Sequence, residues 1–384
     1  MDGIDKMTTN QTTDVVIIGG GAAGCAAAYY LAENGIKATI IEREGVASKA
    51  SGYNAGGLNP LEGHGWPEPL RPMALQSFRL HQDLWTSLPA ETGIDYHGRI
   101  TSILKVALDE EELADLRETL EIFNNAPEPG FSAEWLERED VLALEPRITS
   151  EVMAGVRAVG NGALDGQEFT QALAAAAEKR GARIVSGSAV GLRLGNGRVE
   201  SVVTDDGEIS CGALLIAAGP WCRTAEQWLD ISIPVDPLKG QIIRVKPDGP
   251  GLDYELIGGG SSMYDKPGGL IWCGSTEEDV GFDLSLTEEA RTRIMTMAVR
   301  LMPSLANAQQ ALHTACLRPV TPDWLPIVGP APSWDNAYIC AGGQKKGILL
   351  GPAMGKGIAE IIADGQTDVS LTGCEPERFS PASN

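Results

Sequence analysis

Three glycines near the N-terminus, Gly19, Gly21 and Gly24, follow the pattern G-x-G-x-x-G. In such a loop the backbone can come close to a pyrophosphate, because glycine carries no side chain that would hold the phosphate away. Glu42 follows at the end of the next apolar run, where a carboxylate can accept a hydrogen bond from a ribose 2′-hydroxyl and would repel a 2′-phosphate. Together these residues predict a dinucleotide site. The alternative is an ordinary glycine turn with an incidental acid.

The elements around the loop favour the first interpretation. In the run 14–18, every residue after Asp14 is apolar and β-branched, which is typical of a strand buried on both faces. Residues 25–34 are alanine-rich with helical spacing and end before Gly35, and residues 37–41 predict a second strand. This βαβ unit would place the start of its helix at the glycine loop.

Three further segments that contain glycine lie far apart in the chain, at 51–57, 214–219 and 342–347. They suggest additional contacts to one long cofactor. A flavoenzyme reduced by NAD(P)H usually has a second dinucleotide fingerprint, and none follows Gly24. The pattern therefore favours FAD as the single cofactor, and a plain NAD dehydrogenase is the alternative.

The middle of the chain predicts a different kind of structure. Short apolar strands at 240–246, 253–257 and 269–274 indicate an antiparallel sheet, followed by a helix near 287–301. The segment 48–72 is too long for a simple connection and predicts a binding loop.

Composition narrows the range of partners. The chain has 384 residues, enough for two domains, and its 30 basic and 52 acidic side chains give a net charge of −22. Such an excess of acids argues against nucleic acid and anionic membranes as partners. The seven cysteines show no CxxC pair or Cys/His cluster, so we expect free thiols in a reducing compartment and no metal site. No stretch reads as an integral membrane segment, and we expect a cytoplasmic protein.

These segments together resemble the D-amino-acid oxidase, glycine oxidase and D-amino-acid dehydrogenase superfamily of FAD-dependent oxidoreductases. The likeness rests on the fingerprint with Glu42 and on the segments 51–57, 214–221, 237–240, 316–319, 326–329 and 343–349. It implies an α/β fold: a Rossmann-like, glutathione-reductase-like FAD-binding domain, discontinuous over 12–90, 150–232 and 311–384. An α+β substrate domain on a mostly antiparallel sheet would comprise 91–149 and 233–310.

The resemblance also implies a set of FAD contacts along the whole chain. By position these are Gly19, Gly21, Ala23, Gly24, Glu42, Arg43, Ala50, Ser51, Gly56, Gly57, Val190, Gly219, Gly343, Lys346, Gly347, Ile348 and Leu349. Val190 would contact the adenine through its backbone, with a plain core valine as the alternative. The helix start at 343–349, helped by Lys345 or Lys346, would stabilise negative charge on the reduced flavin.

Arg318 corresponds to the arginine that binds the substrate carboxylate in this superfamily, and a guanidinium offers two parallel hydrogen bonds to such a group. The alternative is a structural salt bridge. Tyr264 and Lys345 are candidate substrate contacts by the same resemblance, with a core tyrosine and a solvated lysine as alternatives. His64 could face the flavin or lie at the surface.

Cys316 falls where sarcosine oxidases attach their flavin covalently, whereas the residues after it match glycine oxidases, which have no such bond. Covalent FAD through Cys316 is therefore one of two possibilities, and a small buried cysteine is the other.

The resemblance implies FAD-dependent oxidative deamination of a small carboxylated amine: a D-amino acid, glycine or sarcosine. Hydride would pass from the carbon beside nitrogen to flavin N5. The acceptor that reoxidises the flavin would be O₂, or a quinone or electron carrier, since the segment 270–274 lacks the lysine that promotes oxygen reaction in sarcosine oxidases. The alternatives are a flavin-dependent 2-hydroxy-acid dehydrogenase and a non-catalytic flavoprotein assembly factor.

Overall fold

The structure is a computed structural model that describes residues 11–62, 69–126 and 128–380. His64 lies outside the described residues. Within the described ranges, no helix combines the length and apolarity needed to cross a bilayer.

The strands form two sheets and are, in chain order, β1 (Gln11–Ile18), β2 (Ala38–Glu42), β3 (Gly57–Leu58), β4 (Arg99–Ala107), β5 (Ser132–Glu137), β6 (Ala154–Ala163), β7 (Arg183–Ser186), β8 (Ala189–Gly195), β9 (Arg198–Thr204), β10 (Gly207–Ile216), β11 (Asp236–Lys246), β12 (Glu255–Gly258), β13 (Ser261–Lys266), β14 (Leu270–Gly274), β15 (Gln309–Val320), β16 (Ile327–Pro330) and β17 (Ala337–Ala341).

The α-helices are α1 (Ala22–Glu33), α2 (Ala50–Tyr53), α3 (Leu70–Thr92), α4 (Glu110–Asn124), α5 (Arg138–Leu144), α6 (Gly166–Lys179), α7 (Glu226–Leu229), α8 (Glu288–Leu301) and α9 (Gly347–Asp364). Short 3₁₀ turns include Gly219–Ala225 after β10 and Gln344–Lys346 before α9.

The first sheet has the order β16-β17-β10-β1-β2-β7, and its neighbours β17, β10, β1, β2 and β7 run parallel. Strands β8 and β9 add an antiparallel arm to β10. The predicted strand–helix–strand unit is β1, α1 and β2. Helices α1, α6 and α9 share one apolar core with this sheet, because all three present alanine and leucine side chains to it.

The second sheet has the order β15-β11-β14-β13-β12-β4-β6-β3, with β5 paired to β6. Its pairs are antiparallel except for β12 with β4. Helix α8 covers one face around a separate apolar cluster. The predicted fold class, a Rossmann-like α/β part with a mostly antiparallel second part, is confirmed.

The chain passes between the two sheets after β2, β6, β10 and β15. Strands β6 and β15 lie in the second sheet, although most of their residues fall in segments assigned to the FAD-binding domain. The reason is strand pairing: β6 pairs with β4 over the whole length of both, and β15 pairs with β11. The interleaved domain bounds stay a prediction.

Candidate functional site

A cleft of ≈ 920 Å³ lies where the carboxyl ends of the first sheet meet one face of the second. Ile18, Glu42, Ile216 and Ala341 end the parallel strands β1, β2, β10 and β17 and all line it. Ligands of open α/β sheets bind at this edge, where backbone groups and helix N-termini converge. The volume falls in the range of cofactor pockets.

The three fingerprint glycines serve different purposes. Gly19 has φ of +112°, and a Cβ there would lie 2.5 Å from the carbonyl oxygen of Ala217. A Cβ on Gly24 would overlap the carbonyl oxygen of Gly19. Gly21 has φ of −83°, and the nearest atom to its Cβ position is Ser51 Oγ at 3.4 Å. The chain itself therefore requires glycine at positions 19 and 24, whereas position 21 faces the cleft with room for a side chain.

Glu42 accepts hydrogen bonds from the backbone amides of Gly20 at 2.8 Å and Glu44 at 2.9 Å. These bonds fix its carboxylate at the cleft wall. Since two carboxylate oxygens offer about four acceptor sites, Glu42 retains capacity for a ribose hydroxyl. Next to it, the Arg43 guanidinium lies 4.4 Å from the centre of the Trp221 ring.

The binding loop contacts the start of α1 directly. Ser51 Oγ, at the start of α2, accepts a hydrogen bond of 3.0 Å from the Ala22 amide, the first residue of α1. Gly56 has φ of +84°, and its missing side chain leaves room for the carbonyl of Leu164. The loop then joins the second sheet through β3, so one segment touches both walls of the cleft.

Most of the predicted cofactor and substrate residues line this one cleft: Gly19, Gly21, Ala23, Glu42, Arg43, Ala50, Ser51, Gly56, Gly57, Gly219, Tyr264, Arg318, Gly343, Lys345, Lys346, Gly347, Ile348 and Leu349. Gly24 lies behind the loop in the packing of α1. Val190 is not brought to the cleft: its side chain is 55% exposed on β8, and Gly187, Ser188 and Ala189 line the cleft instead.

Lys346 and Lys345 differ sharply in environment. Lys346 is partly buried and donates hydrogen bonds to the carbonyl oxygens of Asn59 at 3.2 Å and Glu62 at 2.9 Å. Burial lowers the pKa of Lys346 to about 8. Lys345 instead forms an ion pair with Glu277 in the cleft. Neither interpretation of Lys345 from the sequence anticipated that pairing.

Arg318 projects into the cleft from β15. Its guanidinium donates hydrogen bonds to Ser275 Oγ at 2.7 Å, to the carbonyl oxygen of Thr276 at 3.1 Å and to that of Lys239 at 3.4 Å. It lies over Gly240, where any side chain would overlap it. None of the ion pairs within the described chain involves Arg318, so the salt-bridge alternative is not supported. The guanidinium is held in place by neutral oxygens only.

Strands β12 and β13 of the second sheet carry Glu255 and Tyr264. The Tyr264 ring meets Trp272 edge-on, with ring centres 5.2 Å apart. Burial, followed by the nearby charge of Glu255, raises the pKa of Tyr264. Glu255 is 5% exposed, and its Oε1 atom has no hydrogen-bond partner within the described residues. Both side chains fill the space that Gly57 leaves: a Cβ there would lie 2.6 Å from Glu255 Oε1 and 3.0 Å from Tyr264 Cε1.

Cys316 is 8% exposed, lies on β15 and lines the cleft. Burial raises the pKa of its thiol, and Arg318 opposes that effect. Because the thiolate is the reactive form of cysteine, this environment does not activate Cys316 for bonding to a flavin.

Among the charged residues that line the cleft, sequence reasoning did not single out Glu255 or Glu277. Glu255 had a visible signal, an acid at the centre of the strand predicted at 253–257. Glu277 had none, because its partner Lys345 is distant in sequence. Lys266, which is 3% exposed, lines a smaller cavity beside the cleft.

The residues present fit FAD. Gly21 faces the cleft without any steric need for glycine, the start of α1 lies at the loop, and Glu42 stands at the end of β2. The start of α9 adds a second helix N-terminus to the same cleft. Within the described residues, no group of three or more His, Cys, Asp or Glu side chains is placed to hold a metal ion. A site of this kind is typical of dinucleotide-dependent oxidoreductases. Here the second sheet forms the other wall of the cofactor cleft.

The chain belongs to the DAO family of FAD-dependent oxidoreductases, whose family model matches residues 14–361. Glycine oxidase from Geobacillus kaustophilus is 29% identical over 345 residues, covering 89% of this chain and 91% of that protein. A crystal structure of glycine oxidase from the same organism has a TM-score of 0.90 at 27% identity, covering 97% of this chain and 100% of that one. Iminodiacetate oxidase from Chelativorans sp. BNC1 has a TM-score of 0.85 at 25% identity, covering 96% and 98%. The protein is an FAD-dependent enzyme, as the sequence predicted.

Proposed function

We propose that this enzyme oxidises a small amino acid or N-substituted glycine at the carbon beside nitrogen. The observation that carries the proposal is Arg318: a guanidinium fixed in the cofactor cleft by three neutral oxygens and unpaired with any carboxylate of the described chain. In a chain with a net charge of −22, such a cation is a strong candidate to bind the carboxylate of a substrate. The names of the relatives, a glycine oxidase and an iminodiacetate oxidase, support the same class.

The residues suggest how a substrate would be oriented. Arg318 would hold the carboxylate at one end of the second-sheet wall, and Tyr264 and Trp272 would form the apolar surface beside it. Bound FAD supplies a two-electron acceptor for the hydride. The chain's own contribution is to fix the carboxylate, exclude water and place the carbon–hydrogen bond in a reactive orientation.

A panel of amines and hydroxy acids tests the proposal through anaerobic bleaching of the flavin. Glycine, N-methylglycine, iminodiacetate or a D-amino acid should reduce the flavin, while 2-hydroxy acids should not. Bleaching by hydroxy acids alone would replace the proposal with the hydroxy-acid dehydrogenase alternative. Absence of any response would favour the assembly factor. Repeating the reduction in air shows whether O₂ reoxidises the flavin or a separate electron carrier is needed. The identity of the acceptor and a cytoplasmic location both stay predictions.

Substitution of Arg318 tests the carboxylate contact. Arg318→Ala should raise KM for the substrate about 100-fold while FAD stays bound, because a charged hydrogen-bonded contact is lost. Arg318→Lys should restore part of the affinity, since it keeps the charge without the planar fork. Arg193→Ala, on exposed β8 outside the cleft, is the control. An unchanged KM in Arg318→Ala would remove Arg318 from the site.

A further inference from the structure

A second cavity lies behind the main cleft and shares Glu255 with it. This small chamber has a volume of ≈ 20 Å³, and its lining includes Thr101, Asp165, Asp265 and Lys266. A cavity of that size holds about one water molecule when polar groups line it. Glu255 therefore lies between the cofactor cleft and a polar chamber.

The Glu255 carboxyl group lacks the contacts that a structural buried acid needs. It is 5% exposed and forms no ion pair within the described residues, and its Oε1 atom has no hydrogen-bond partner there. Buried polar atoms without partners are rare in folded proteins because each costs about 1–3 kcal/mol. An unpartnered acid at a cleft wall is more readily explained by a ligand or a proton than by the fold.

The chamber leads outward. Its lining includes His97 and Arg99, both exposed, beside the buried Lys266. Asp265 forms an ion pair of 3.3 Å with Arg99 at this mouth. A proton on Glu255 would thus have a polar route to solvent that avoids the cofactor cleft.

We propose that Glu255 accepts the proton that the substrate ammonium must lose before oxidation, and that the small chamber carries this proton to solvent. This inference rests on the proposed amine oxidation. In the step, an N–H bond of the ammonium breaks and an O–H bond forms on the carboxylate, so a neutral amine and a neutral acid result. No electrons are transferred, and the acid then releases its proton to water in the chamber.

The charged surroundings of Glu255 suit this purpose. Burial raises the pKa of Glu255 to about 8, while the cations of Lys346 on the turn before α9, Lys266 on β13 and Arg99 on β4 oppose the rise. Tyr264 is the other titratable group facing it, and its raised pKa keeps that side chain neutral. An acid with a pKa near the working pH can both take and release a proton.

The test is the pH dependence of flavin reduction in the FAD-loaded enzyme, measured anaerobically with the most reactive amine of the panel. In the wild type the rate should rise as pH passes about 8. Glu255→Gln should be slower by about 100-fold at pH 7, the usual scale of general base catalysis. The two enzymes should converge above the pKa of the substrate amine, where no proton needs to be removed. A merely structural loss would persist at all pH values.

Three controls keep the test decisive. Glu121→Gln, on the exposed side of α4, should match the wild type at every pH. Glu255→Asp should keep the wild-type pH dependence at a reduced rate. If Glu255→Gln fails to bind FAD, infrared titration of the wild type and Glu255→Asp should still reveal a protonated carboxyl band that disappears as pH passes about 8.

The outcomes separate the two proposals. If an amine reduces the wild-type flavin but Glu255→Gln keeps the wild-type pH profile, or the infrared band is missing, Glu255 is not the acceptor and the proposed function stands. If no amine reduces the wild-type flavin, the proposed function fails and the proton acceptor fails with it.

Discussion

Gly→Ala substitutions at two of the fingerprint glycines, Gly21 and Gly24, should have different effects: one should weaken FAD binding and the other should destabilise the fold. In Gly21→Ala the new Cβ would lie 3.4 Å from Ser51 Oγ, an ordinary contact, and φ of −83° suits alanine. The apoprotein should therefore change little in stability, because a gain of about 0.5 kcal/mol from a less flexible unfolded chain is offset by alanine being a poorer N-cap of α1 than glycine. The methyl group would point into the cleft where a pyrophosphate must approach. Crowding of about 1–3 kcal/mol there corresponds to FAD affinity about 10- to 100-fold weaker.

Gly24→Ala adds the same methyl group but should affect stability, in contrast to Gly21→Ala. Its Cβ would overlap the carbonyl oxygen of Gly19, and neither backbone can move without displacing α1 from β1. We expect the apoprotein to lose about 3 kcal/mol of unfolding free energy, at the upper end for a crowded core. Urea unfolding of the apoproteins and titration of FAD by flavin fluorescence measure the two quantities. Wild-type FAD affinity in Gly21→Ala would refute the assignment of this loop to the cofactor phosphate, and equal destabilisation of both apoproteins would refute the steric argument.

Three further predictions follow from buried or paired groups. Burial lowers the pKa of His81 to about 4, so between pH 6.5 and 4 the unfolded chain binds a proton that the folded protein does not. Over this range, urea titrations should show the wild type losing about 3 kcal/mol more unfolding free energy than His81→Gln. Parallel curves of unfolding free energy against pH for the two proteins would contradict this. Acid precipitation should release all flavin from wild type and from Cys316→Ser alike, because burial disfavours the thiolate of Cys316; colour retained only by the wild type would establish a covalent bond. Glu277→Gln should free Lys345 and lower KM for iminodiacetate about 3- to 10-fold relative to glycine, and an unchanged ratio would show that Lys345 does not face the substrate.

The first βαβ unit could be predicted from sequence because its signals are local. Strand β1, the glycine loop and α1 follow one another within residues 11–33, and each carries its own composition and periodicity. Strand β6 was not predicted: Ala154–Ala163 contains three glycines, three alanines and only two β-branched residues, so its strand structure comes from pairing with β4 and β5. Tertiary context there overrides a weak local preference.

The candidate site divides in the same way. Arg318 could be proposed from the segment around it. The neutral oxygens that hold its guanidinium belong to Ser275 and Thr276, which follow β14 and are distant in sequence. Glu255 gains its significance from burial beside Gly57, a residue nearly 200 positions earlier. Contacts of this kind are set by how strands pair and cannot be read from either segment alone.

The two-residue strand β3 has a kinetic consequence. Gly57 and Leu58 pair with β6, and the amide of Leu164 donates a 3.0 Å hydrogen bond to Gly56, so the cofactor loop is fastened to the opposite wall. With the chain also crossing between the sheets in four places, the walls cannot swing apart about a single hinge. We expect small substrates to enter and leave the cleft freely, whereas release of a molecule as long as FAD requires β3 to separate from β6. We therefore expect the cofactor to be retained by a slow off-rate, set by local unfolding more than by the strength of its contacts.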